Sequence, residues 1–152
     1  LRVINHDNIH ELFLIHYYSF IELVKWYSKK GISNGGSIVA ISAVNAHIPQ
    51  KCMTAYSSAK AAVEAACRTL ALELNEKGIR INSVVVGGVN TPMSEQTEEL
   101  IKGMPGSNDN PVERQLLGIA DPGQVIGSIL FLLDTDMSFI TGKEVYADGG
   151  LF

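Results

Sequence analysis

Residues 7–30 carry apolar side chains on nearly every helical face: Leu12, Phe13, Ile15, Tyr18, Phe20, Ile21, Leu23, Val24 and Trp26. Asp7 suits a helix N-cap, and Gly31 with the Ser33-Asn34-Gly35-Gly36 turn ends the segment. A helix with no wet face is buried on several sides, by the core, a second subunit, or both. Ser37–Ser42 is a short, continuous apolar run behind glycines, the pattern of a buried parallel strand. A second helix is predicted over 54–77, where Val63, Ala66, Cys67, Leu70 and Leu74 recur at three- and four-residue spacing and Gly78 supplies the C-cap. Ile79–Val86, rich in Ile and Val, predicts a second strand. Ser94–Gly118 turns polar around Met104–Pro111 and is read as a long loop or lid. Asp121-Pro122 opens a third helix carrying Val125, Ile126, Ile129, Leu130 and Leu133, and Glu144–Ala147 is a last strand before Asp148-Gly149-Gly150.

Helix and strand alternate without an internal repeat, which predicts an α/β fold with a parallel sheet and right-handed crossovers. Three strands make a thin sheet with an exposed edge, which parallel sheets seldom tolerate, so the fold is expected to be truncated on the side where the chain begins. The start at Leu1 rather than Met carries the same expectation of sequence upstream. A length of 152 residues and 46% hydrophobic content predict one domain, 1–152, with a real core.

Charge changes little in this picture except by exclusion. The net charge is −4 and no Lys/Arg stripe is present, so nucleic acid is not expected as a partner. Lys29-Lys30 falls at a predicted helix end, where cations need no further role. Cys52 and Cys67 make neither a disulfide framework nor a ligand set and read as reduced thiols of a cytoplasmic protein. No apolar run is long enough for a membrane span, and no signal-peptide pattern opens the chain. His6, His10, His16 and His47 show no metal-ligand spacing with carboxylates, so no metal site is expected.

The candidate chemistry lies in Tyr56-Ser57-Ser58-Ala59-Lys60, which places a phenol and an ammonium at i and i+4 on one helix face. A nearby cation favours the phenolate and lowers the Tyr pKa from about 10, preparing it to exchange a proton with a carbonyl or alcohol. Alone, the pair is a weak signal that a solvated surface pair would also give.

Its surroundings strengthen it. Gly36–Ser42, Tyr56–Val63, Leu70–Leu74, Gly78–Val84, Val89-Asn90-Thr91-Pro92-Met93 and Ile140-Thr141-Gly142 through Asp148-Gly149-Gly150 together resemble the core of short-chain dehydrogenase/reductases, of the 3-oxoacyl-carrier-protein reductase type. The motifs stand in family order and span nearly the whole chain. The resemblance implies the C-terminal half of a Rossmann-like doubly wound sheet, strands 5 to 7. It also implies hydride transfer between NAD or NADP and a small carbonyl or alcohol, in a homodimer or homotetramer. By the same resemblance Tyr56 is the general acid/base and Lys60 lowers its pKa and bonds the nicotinamide ribose. Gly87, Val89 and Thr91 lie along the nicotinamide; Thr91-Pro92 also has the plainer reading of a turn.

Several positions depart from the family pattern. Ala43 stands where the family usually has its active-site Ser, and Val86 where a Pro usually precedes Gly87. Ser42 is next door, but adjacent strand residues face opposite ways, so it is a packed strand residue unless a bulge turns it. His16 falls at the usual helix-borne Asn; it either holds a water and passes a proton or is a buried His with an ordinary hydrogen bond. No Gly-rich phosphate turn occurs, so the adenine end of the cofactor site is missing from this sequence. Three readings follow: an active reductase or dehydrogenase, a degenerate relative used for binding or assembly, and an unrelated α/β domain.

Overall fold

The computed structural model describes residues 5–102 and 110–152. Helix α1 (His6–Phe13) runs through one π-helical turn (Leu14–Tyr18) into α2 (Ser19–Tyr27). Strand β1 (Gly36–Ala43), helix α3 (Thr54–Leu74), strand β2 (Ile79–Val86), helix α4 (Pro92–Ile101), helix α5 (Pro122–Leu133) and strand β3 (Glu144–Ala147) follow. The strands form one parallel sheet in the order β1-β2-β3, the predicted α/β architecture.

Strand alternation explains the two cores. Ile38, Ala40, Ile79 and Ile81 meet Val63, Cys67, Ala71 and Leu74 of α3, with Phe20, Val24 and Tyr27 of α2 closing the layer. On the other face Val39, Val84, Val86, Val145 and Ala147 meet Val125, Ile129 and Leu132 of α5. The sheet is therefore covered on both faces, as a parallel sheet requires.

Local signals set most boundaries. Gly78 adopts φ +67 after one 3-10 turn, a left-handed C-cap that releases the chain into β2. Asp121 and Gln124 form a capping box with Pro122 in the first turn of α5. Three expectations change. Asn5, not Asp7, caps the first helix: its side-chain oxygen accepts from Asp7 N at 2.9 Å. The polar stretch after Ser94 is not all loop, because α4 occupies Pro92–Ile101; Thr91 caps it and Pro92 fixes its first turn. Of the predicted loop's centre, residues 103–109 lie outside the described residues. The first helical segment also ends at Tyr27 rather than Lys30, and in this chain it buries one side: Val24 is enclosed, while Ile15, Leu23 and Trp26 are exposed.

Candidate active site

The registers bring Ala43, Val86 and Ala147 into one row, so all three strands end at the same edge of the sheet. In open parallel sheets the crevice beyond the carboxyl ends of the strands is where ligands bind. The chain leaving β1 leads to the first two turns of α3, which carry Tyr56 and Lys60. The chain leaving β2 leads at once into Gly87–Thr91.

Tyr56 and Lys60 share a face of α3, with the Lys60 ammonium 5.7 Å from the Tyr56 ring centroid. Lys60 is 9% exposed and its Nζ donates to the Ile41 carbonyl at 2.9 Å, which ties the helix to the end of β1. One of its three N–H groups is thereby used and two remain for a ligand. Burial lowers the Lys60 pKa, and the Glu64 carboxylate one turn along opposes that shift. Burial also raises the Tyr56 pKa. The expected lowering by Lys60 is not what this structure shows, because removal of the phenolate from water outweighs an ammonium whose hydrogen bond goes to the backbone.

His16 reaches the same place. Its ring meets that of Tyr56 edge-on, with centroids 5.4 Å apart and planes at 81°. Burial, then the charge of Lys60, lowers the His16 pKa, which favours the neutral imidazole at pH 7. His16 sits in the π-helical turn, a feature that re-aims side chains within an otherwise regular helix.

Ser42 is 1% exposed and its hydroxyl donates to the Glu64 carboxylate. It faces α3 without any bulge in the β1–β2 register, so Ala43 faces the other way and Ser42 is spent on a partner of its own.

The segment after β2 is extended and bridges Ala120: Asn90 N donates to Ala120 O at 2.8 Å and Ala120 N to Gly88 O at 3.1 Å. In such a bridge the N–H and C=O of Val89 point away from Ala120, free to meet the amide of a ligand. Gly87 has room for no side chain, since a Cβ would collide with the Gln115 side-chain oxygen and stand 3.0 Å from the Asp148 backbone. Thr91 is mainly a cap: its Oγ1 accepts from Ser94 N at 3.2 Å, leaving one lone pair for any other role. Sequence reasoning missed Gln115, whose buried amide bonds the Gly88 N–H and donates to Gly118 O at 2.6 Å. A Gln in a polar stretch gives no periodic signal that could have marked it. Beyond this segment a cavity is lined by Gly88, Val89, Asn90, Ser94, Val112 and Ile119.

The histidines lack ligand spacing along the chain, but the fold gathers His47 with Glu64 and Glu144, whose ligand atoms lie within 4.8 Å of one another. These residues come from three separate elements, so no local pattern could reveal them.

Comparison with known proteins identifies the family. The family profile described as enoyl-(acyl carrier protein) reductase matches residues 2–152. A glucose 1-dehydrogenase of Gluconobacter oxydans is 34% identical over 133 residues, covering 86% of this chain and 47% of that protein. A (3R)-3-hydroxyacyl-CoA dehydrogenase of Mus musculus is 37% identical over 124 residues, covering 80% and 46%. A solved short chain dehydrogenase/reductase family protein superposes with a TM-score of 0.83 at 30% identity, over 97% of this chain and 59% of that one. The chain spans about half the length of the curated relatives it matches. With its parallel sheet and its motifs matched from end to end, this chain belongs to the short-chain dehydrogenase/reductase family.

Proposed function

We propose that this chain carries the catalytic half of an NAD(P)-dependent oxidoreductase that interconverts a small carbonyl and an alcohol, with Tyr56 as general acid/base. The observation that carries the proposal is the grouping of Tyr56, Lys60 and His16 at the end of β1, beside the Gly87–Thr91 segment at the end of β2. The nicotinamide cofactor, NAD or NADP, supplies the hydride. Lys60 has two free N–H donors for a ribose, Val89 offers its peptide group to a carboxamide, and the missing side chain of Gly87 keeps that segment close to Asp148. Tyr56 holds its proton at neutral pH and gives it to the carbonyl oxygen as hydride arrives. Neutral His16, at the Tyr56 ring, is placed to return a proton from solvent. The proposed setting is a homodimer or homotetramer in the cytoplasm; no helix among the described residues is long and apolar enough to cross a membrane. Turnover of the full-length protein is measured against a panel of ketones. Tyr56→Phe is expected to lose about 10²–10⁴-fold in kcat. Wild-type turnover in that variant overturns the mechanism.

Ala43 favours a second reading, a member whose catalysis has decayed in favour of binding or assembly. Ala43 offers no hydroxyl to a developing alkoxide, and Ser42 is bonded to Glu64. A lost donor of that kind costs on the order of 10²-fold in kcat. Ala43→Ser separates the readings: a gain of that size supports decay, and no gain means another group already does the work.

A further inference from the structure

Next to the Tyr56 cluster, on the α3 face of the sheet, stand three side chains that the proposed reaction does not use. His47 follows β1, Glu64 lies on α3 and Glu144 begins β3. The His47 Nε2 is 2.9 Å from Glu64 Oε2 and 4.0 Å from Glu144 Oε2. Zinc bonded at about 2.0–2.2 Å sets its ligand atoms roughly 3–3.5 Å apart, a spacing that lies between the two separations from His47 Nε2. We propose that His47, Glu64 and Glu144 form a divalent-cation site that takes zinc through one imidazole nitrogen and two carboxylate oxygens.

Independent contacts aim the ligands. Ser42 donates to Glu64 Oε1 and Arg68 donates to Glu144 Oε1, so each carboxylate has its outer oxygen held and turns Oε2 toward His47. Partners of this kind orient ligands and set metal affinity. The His47 ring is walled by Tyr146 and Phe152, with centroids at 5.6 and 5.8 Å, and those two rings pack edge-on at 4.9 Å. Glu64 is 3% exposed, and a carboxylate that deep needs compensating charge. The Cys67 sulfur on the same helix is turned to Asn82 O at 4.0 Å, so the donor set is nitrogen and oxygen only, which suits zinc. An ion here joins β3 to α3 and to the segment after β1, and it contributes stability rather than a catalytic step.

The test uses the intact protein stripped with a chelator, titrated with Zn²⁺ by calorimetry and with Co²⁺ by absorption. One equivalent is expected to bind with a dissociation constant of about a micromolar or tighter. The Co²⁺ complex shows d–d bands and no thiolate charge-transfer band. His47→Gln and Glu144→Gln, both partly exposed and so tolerable to the fold, each weaken binding by about 100-fold or more. Ser42→Ala weakens it by about 10-fold through the loss of orientation alone. Binding raises the melting temperature of the wild type and not of the two ligand variants. Absence of stoichiometric binding, wild-type affinity in both ligand variants, or a thiolate band overturns the site and leaves His47 and Glu64 as a plain polar contact.

Discussion

Tyr56 and Lys60 are both drawn partly out of water, and burial moves their pKa values in opposite directions, the phenol upward and the ammonium downward. The sign decides the pH behaviour of the proposed reaction. Carbonyl reduction needs the protonated phenol, whose proton is held past its ordinary value near 10. Its kcat/KM is therefore expected to stay level through neutral pH and to fall only in the alkaline range. Alcohol oxidation needs the phenolate, so its kcat/KM is expected to climb with pH and not to level off below pH 10. Profiles in both directions check this, and a plateau in oxidation near pH 7 contradicts it. The Tyr56–Lys60 pair was legible because i,i+4 spacing is a property of sequence. The direction of the Tyr56 shift was not, because desolvation depends on what packs over the ring.

At the level of elements, the Gly87–Thr91 segment is held by its neighbours rather than by its own sequence. Gln115 satisfies the Gly88 N–H, Gly118 O and the space over Gly87 at once. Gln115→Ala strips partners from buried backbone groups and is expected to cost about 1–3 kcal/mol of stability. Gly87→Ala collides with both Gln115 and the Asp148 backbone, so it is expected to lower the melting temperature and raise KM for cofactor. Thermal melts and steady-state kinetics of the two variants measure these effects. A Gly87→Ala protein with wild-type KM shows that the segment does not approach the cofactor. The strands and α3 were readable because their apolar residues recur with the right period. Helix α4 was not: its residues read as polar loop, and only the Thr91 cap with Pro92 marks its start. The π-helical turn was equally hidden, since one residue of extra winding around His16 answers to packing against α3.

On the scale of the whole molecule, an α/β sheet covered on both faces was legible from the alternation of elements. What the pattern could not show was convergence: His47, Glu64 and Glu144 meet only after the chain has crossed the sheet twice. Ile15, Leu23, Trp26 and Leu72 lie exposed on α2 and its neighbours, more apolar surface than a lone chain gains by showing. The proposed homo-oligomer would cover part of it. Light scattering on the full-length protein is expected to give a dimer or tetramer, and a clean monomer removes that proposal. The Val89–Ala120 bridge has a consequence of another kind. It pins together both feet of the stretch that contains α4, so that stretch is a closed loop on a fixed base. Doubling the length of such a loop costs only about 0.6 kcal/mol in closure entropy. Changes of length between the feet that leave Gln115 and the bridge in place can therefore reshape the cavity lined by Val112 and Ile119 while the ends of the strands stay put.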